Sequence, residues 1–167
     1  MNMKAVRYKG STWIEKREVK FRGKLMLGKH RWVYGFYVRV NDNHVIIQGG
    51  VHSLLEYKRC DPSTIGQMTG YKDINDKDVW EGDIVKVTSV KEDTLWQEKF
   101  AQVAYDPDMA AFTLITKEHP NGSLLSTNHL NCCIEVVGNV YDNPELLNPE
   151  LLEQREPNDA RINLAES

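Results

Sequence analysis

Residues 64–87, TIGQMTGYKDINDKDVWEGDIVKV, set three Gly, four Asp and one Asn around Trp80 and a run of β-branched residues. Such a stretch is either a cation site or the punctuation of tight β structure. The first reading can be tested on spacing. Asp73-x-Asn75-x-Lys77 begins like a calcium loop, but the fifth position is Lys77, the sixth is Asp78 where glycine is needed, and the twelfth is Ile84 where a bidentate glutamate is needed. The second reading accounts for the residues. Asp73-Ile74-Asn75-Asp76 offers side chains that tolerate positive φ at a hairpin tip. Gly82 can take a conformation closed to other residues, and Asp83 can accept from backbone N–H groups of its own turn. Gly66, Gly70, Asp73, Asn75, Gly82 and Asp83 are therefore read as structural turn residues.

Period-two alternation continues on the N-terminal side. Residues 18–27 place Val19, Phe21, Gly23, Leu25 and Leu27 on one face and Lys20, Arg22 and Lys24 on the other. After a turn at residues 28–31, Trp32, Tyr34, Phe36, Val38 and Val40 alternate again, so the pair reads as a β-hairpin with those residues on its core face. A third strand is expected at residues 44–48, whereas residues 51–60 fit a strand or a helical turn equally. On the C-terminal side, strands are expected at 84–90, through Phe100, Val103 and Tyr105, at 111–116 and at 132–140, with turns at Asp106-Pro107-Asp108 and at residues 119–122. Asn143-Pro144-Glu145 reads as a helix start.

The fold class is thus mainly β with minor helix. Its expected parts are an N-terminal extension (1–17), a β-rich region (18–78), a second unit (79–142) whose short strands suggest a small closed barrel or sandwich, and a short helix with a frayed tail (143–167).

With 41% hydrophobic and 27% charged residues the 167-residue chain has the composition of an ordinary globular protein. No apolar run approaches the ~18 residues of a membrane span, and the first ten residues lack an apolar signal core. An odd number of cysteines, Cys60, Cys132 and Cys133, suits a reducing compartment. These features predict a cytoplasmic protein that does not engage a membrane. The net charge of −3 conceals an asymmetry: residues 1–40 carry +9 and the remainder −12. A separation of that size is an argument about partners rather than fold.

Six segments occur in register: KFRGK (20–24), WVYG (32–35), TIGQMTGYKD (64–73), VWEGDIV (79–85), Val103-x-Tyr105, and VVGNVYDNPEL (136–146). Together they resemble the YopX family of phage- and prophage-encoded proteins, over about residues 18–147. The chain departs from the family pattern at the hairpin tip, where Asp76 stands in place of the usual Gly, and residues 1–17 and the tail lie outside it. The resemblance implies a phage or prophage origin, a bacterial host and a β-rich fold, with a small SH3-like barrel over residues 79–142. It implies no activity, because the family carries none to transfer.

Chemistry-bearing residues do not assemble into a catalytic pattern. His129-x-x-Cys132-Cys133 has ligand-like spacing, with Cys60 or His52 to complete a zinc set. A second knuckle is lacking, however, and neighbouring strand residues point to opposite faces. The histidines are scattered, and nucleophile-elbow, phosphate-loop and zincin motifs are absent. No catalytic residue, metal or cofactor is expected. Lys20, Arg22, Lys24, Lys29 and Arg31, with Tyr37 as the one aromatic on the polar face, are the candidate contacts for a partner. A +9 and a −12 segment on one chain complement each other between copies. The leading expectation is a non-catalytic homo-oligomer or adaptor that binds a phage or host protein. The alternative is nucleic-acid binding through the same basic hairpin.

Overall fold

The computed structural model describes residues 18–27, 31–49, 55–89, 98–117, 123–125 and 132–148. The expectations for residues 1–17, Lys29, His52, His129 and the tail beyond Asn148 lie outside them. Two antiparallel sheets account for nearly all regular structure, so the chain is mainly β. The first contains β1 (Phe21–Lys24), β2 (Trp32–Val40), β3 (Asn43–Gln48), β4 (Glu56–Arg59), β5 (Gly66–Lys72) and β6 (Asp78–Trp80), in the spatial order β4-β3-β2-β1-β5-β6. The second contains β7 (Asp83–Ser89), β8 (Glu98–Asp106), β9 (Ala111–Ile115), β10 (Ser123–Leu124) and β11 (Cys132–Asn139), in the order β10-β9-β8-β7-β11.

The chain divides into two compact units, Met1–Lys72 with Asp78–Trp80, and Asp73–Lys77 with Glu81–Ser167. The chain therefore passes between the units after Lys72, Lys77 and Trp80: Asp78–Trp80 is the last strand of the first sheet, and the tip Asp73–Lys77 belongs with the second.

In the first unit, the β1–β2 register sets Phe21 opposite Gly35 and Gly23 opposite Val33. This turns Val33, Gly35 and Tyr37 toward the side occupied by Phe21 and Leu25, where Val33, Ile46 and Cys60 form a cluster packed by Phe21, Leu25, Tyr37 and Ile65. The expected core face of β2 is thereby corrected. Tyr34, Phe36, Val38 and Val40 are exposed and Trp32 half-buried. The sequence WVYGFYVRV carries apolar residues at both parities, so alternation alone could not choose between the faces, and the pairing with β1 does. The end of β4 is tied back to β1. Leu25 and Cys60 form an isolated antiparallel bridge, the Met26 N–H donates to the Arg59 carbonyl, and the Asp61 N–H donates to the Lys24 carbonyl. The sheet curls around its cluster as a result.

Between β4 and β5, Asp61 caps a 3-10 turn, Pro62–Thr64, by accepting from the Ser63 N–H. The Thr64 hydroxyl oxygen then accepts from the Lys24 N–H at 2.9 Å. In the second unit both Ile84 and Val85, neighbours on β7, are fully buried, so this strand is covered on both faces. Ala101, Val103, Phe112, Leu114, Leu125 and Ile134 complete that core. The fifth strand returns beside the first, but β10 and β11 remain edges, and a closed barrel is not found among the described residues. The expected C-terminal helix is a single 3-10 turn, Pro144–Leu147, to which the Asn143 side chain makes no capping bond.

Candidate interaction surface

The opening stretch centres on the Asp73 turn. Its backbone closes through the Asp73 N–H to the Lys77 carbonyl (2.9 Å) and the Asp76 N–H to the Asp73 carbonyl (3.0 Å), with Asp76 at φ 61°. The Asp73 carboxylate is fully engaged. Oδ1 accepts from the N–H groups of Asn75 (2.8 Å) and Lys77 (2.9 Å), and Oδ2 from the N–H of Val136 on β11 (3.0 Å). Burial alone would raise its pKa, yet these backbone donors and the nearby Lys77 charge outweigh it and hold the carboxyl below its ordinary value. A carboxylate committed to three backbone donors is a brace. Among the described residues, no group of three His, Cys, Asp or Glu side chains could hold a metal ion.

The other turn residues occupy distinct positions. Gly82 sits at φ +82°, its N–H donating to the Val103 carbonyl and its carbonyl accepting from Val140. Asp83 is buried at the start of β7. Gly70, at φ 84°, lies where the β5–β6 register shifts between Met68 and Lys72. Gly66 is the first residue of β5, where it pairs with Arg22.

The described candidate contacts, Lys20, Arg22, Lys24, Arg31 and Tyr37, do not share one exposed face. Arg22 and Lys24 are only 6% and 7% exposed. The Arg22 guanidinium lies 4.6 Å from the Trp32 ring centroid and 5.8 Å from that of Trp80, and the Lys24 ammonium 5.4 Å from that of Trp32. Tyr34 meets Trp80 edge to face at 5.3 Å. The alternation that separated these cations from the apolar side of β1 was read correctly, but aromatic rings cover that side too. Tyr37 is half-buried, its ring 5.5 Å from Phe21 and its hydroxyl 2.8 Å from His44 Nδ1. Lys20 pairs with Glu18 at 2.9 Å, and Arg31 is exposed.

Exposed apolar residues form a more coherent feature. Tyr34, Phe36, Val38 and Val40 run along one face of β2, with Phe36 61% exposed. Register continues the row from Phe36 through Ile47 on β3 to Tyr57 on β4, which is 64% exposed. Beside Tyr57 a cavity of about 550 Å³ opens, lined by Leu25, Met26, Leu27, Tyr57, Lys58 and Arg59. Its lining comes from the chain that leaves β1 at the Leu25–Cys60 bridge and from β4. Sequence reading placed Phe36 inside and left residues 51–60 undecided. The signal available was the outward parity of Leu55, Tyr57 and Arg59.

The two cysteines whose side chains are described differ in burial. Cys60 is buried, its thiol donating to the Lys58 carbonyl, and burial pushes its pKa above the usual thiol value. Cys133 is exposed on β11. No helix among the described residues is long and apolar enough to cross a membrane.

Comparison with known proteins bears on both fold and family. No curated protein matches the chain. Among solved structures it is similar to protein EF1440 from Enterococcus faecalis, at 22% sequence identity and a TM-score of 0.50, over 79% of this chain and 99% of that one. This is a likeness of fold. The family model described as YopX protein matches residues 13–148, taking in both sheets and the turns between them. By that match, spanning most of its length, the chain belongs to the YopX family.

Proposed function

We propose that this chain is a non-catalytic accessory protein of phage or prophage origin. On this reading it works in the cytoplasm of a bacterial host by binding protein, and in the first place further copies of itself. The observation that carries the proposal is the exposed apolar row Tyr34, Phe36, Val38, Val40 and Tyr57 on one face of the first sheet. Contiguous exposed apolar patches on soluble domains mark interaction sites. The opposite charges of residues 1–40 and of the remainder supply registration between copies, while the apolar face supplies most of the association energy. We read the second unit as SH3-like, on the strength of a four-stranded meander whose fifth strand returns beside the first. Membership of the YopX family agrees with a phage-type protein.

Nucleic-acid binding through the basic hairpin is the weaker reading. Burial of Arg22 and Lys24 against tryptophan rings leaves Lys20 and Arg31 as its contacts among the described residues.

Light scattering on nucleic-acid-free protein at low and high salt tests the proposal. A discrete oligomer that loosens with salt and is lost in Phe36→Asp is expected. A monomer at both salts that binds single-stranded DNA would replace this reading with the other.

A further inference from the structure

The cavity beside Tyr57 has an apolar floor, Leu25, Met26 and Leu27, and a cationic wall, Lys58 and Arg59. Leu27 is 86% exposed, and Arg31, whose carbonyl accepts from the Leu25 N–H, adds a third cation at this end of the sheet. Glu56 is the nearby acid, paired with Lys58 at 2.8 Å. An occupant matched to this lining carries apolar side chains together with carboxylates.

The second unit presents such an element. At the β8–β9 turn, Tyr105, Asp108 and Met109 are exposed and Asp106 half-buried. The turn is braced from within: Asp106 Oδ1 accepts from the N–H groups of Asp108 (2.8 Å) and Met109 (3.2 Å), and Ala110 takes φ 50°. Tyr105 is steadied by an edge-to-face contact with Phe112 at 5.5 Å. The side chains of Asp108 and Met109 are thus held outward on a rigid tip, so little ordering remains to be done on binding.

We infer that the tip at residues 105–109 of one copy seats in the Leu25–Leu27/Tyr57–Arg59 cavity of a second copy. Met109 and Tyr105 meet the apolar floor, and Asp108 meets Arg59 and Lys58. This deepens the self-association proposed above and rests on it. Tip and cavity are different surfaces, so two copies related by a two-fold axis make the contact twice, and any other rotation makes it head to tail. Each copy offers one of each, and the assembly is a closed dimer, a larger ring or an open filament according to the rotation between copies.

Such a contact predicts complementation, which a shared folding defect does not. A tip variant, Asp108→Lys with Met109→Lys, keeps Asp106 and the backbone brace. A cavity variant, Leu27→Asp with Arg59→Glu, changes only exposed side chains. Each alone is expected to be monomeric by light scattering, with melting within a few degrees of the parent. Mixed one to one, they are expected to give a particle of two chains and nothing larger, since one intact tip meets one intact cavity. If both variants assemble like the parent, or the mixture stays monomeric, the tip-in-cavity contact is overturned while self-association stands. If the parent is monomeric at every salt concentration, the self-association reading falls and takes this contact with it.

Discussion

The carboxylate of Asp73 and the backbone N–H of Val136, 63 positions apart in the chain, meet at 3.0 Å. A second bond runs alongside, from the Ile74 N–H to the Ile134 carbonyl at 3.0 Å. The hairpin tip thereby covers the outer edge of β11, whose other side pairs with β7. An edge strand left bare is a template for unwanted pairing, and the tip closes off part of this one.

Replacing Asp73 with Ala removes the acceptor from three backbone donors at once. A loss of ~2–4 kcal/mol is expected from charge-assisted bonds of this kind. Urea unfolding checks it, and Asp73→Asn, which keeps one acceptor oxygen, is expected to lose less. The pH dependence has a definite sign. Because the folded carboxyl is held below its ordinary value, its contribution is full above the usual aspartate range and declines as pH falls through the lowered value. In Asp73→Ala the acid limb of the stability profile is expected to flatten. An unchanged limb would remove Asp73 from the account.

Gly82 at φ +82° requires glycine twice over, since a Cβ there would also meet Tyr141 Cε2 at 2.9 Å. Gly82→Ala is expected to destabilise by ~1–3 kcal/mol and Gly82→Val by at least as much. Gly70, also at positive φ but exposed at a bulge, provides the contrast. Gly70→Asn is expected to be mild, because Asn tolerates the left-handed region. Equal melting temperatures for Gly82→Val and the parent would refute the turn geometry.

Arg22→Ala distinguishes a packed cation from a surface contact. Between Trp32 and Trp80 the side chain fills space as well as carrying charge, so its truncation is expected to lose ~2–4 kcal/mol. The tryptophan near-ultraviolet circular dichroism is expected to change with it. A residue that only met phosphates would leave melting unaltered.

The two described thiols are expected to differ in reactivity. In the folded protein Cys133 reacts with a disulfide reagent, while Cys60 is protected until unfolding, as peptide mapping of the labelled protein would establish. Burial raises the Cys60 pKa, so its contribution to stability is complete below the ordinary thiol range and is lost as pH rises through the raised value. Prompt labelling of Cys60 under native conditions would contradict its place in the cluster.

Turn chemistry made much of this fold legible. The Asp73 tip, the Gly82 turn and the strands after it follow from residues with few conformational alternatives. The inner face of β2 was not legible. Both parities of WVYGFYVRV are apolar, and only the long-range register Phe21–Gly35 distinguishes them. The same limit hid the candidate surface. Arg22 and Lys24 look like solvated cations until Trp80, nearly sixty residues later, is brought beside Arg22. Phe36 looks like core until Val33 takes that place. The 3-10 turn at Pro144–Leu147 shows a further limit, because a good start signal does not specify how far a helix continues.

The bridge between Leu25 and Cys60 has a consequence for how the first unit comes apart. A simple meander can peel from its last strand, each step releasing one ladder. Here β4 is held by β3 along its length and, at its C-terminal end, by the chain that leaves β1. Peeling has no loose end at Arg59, so the four strands from Phe21 to Arg59 open as one cooperative block. A single nick at the exposed Asn41–Asp42 turn would leave two fragments still paired on either side of the cut. They would migrate together until denatured.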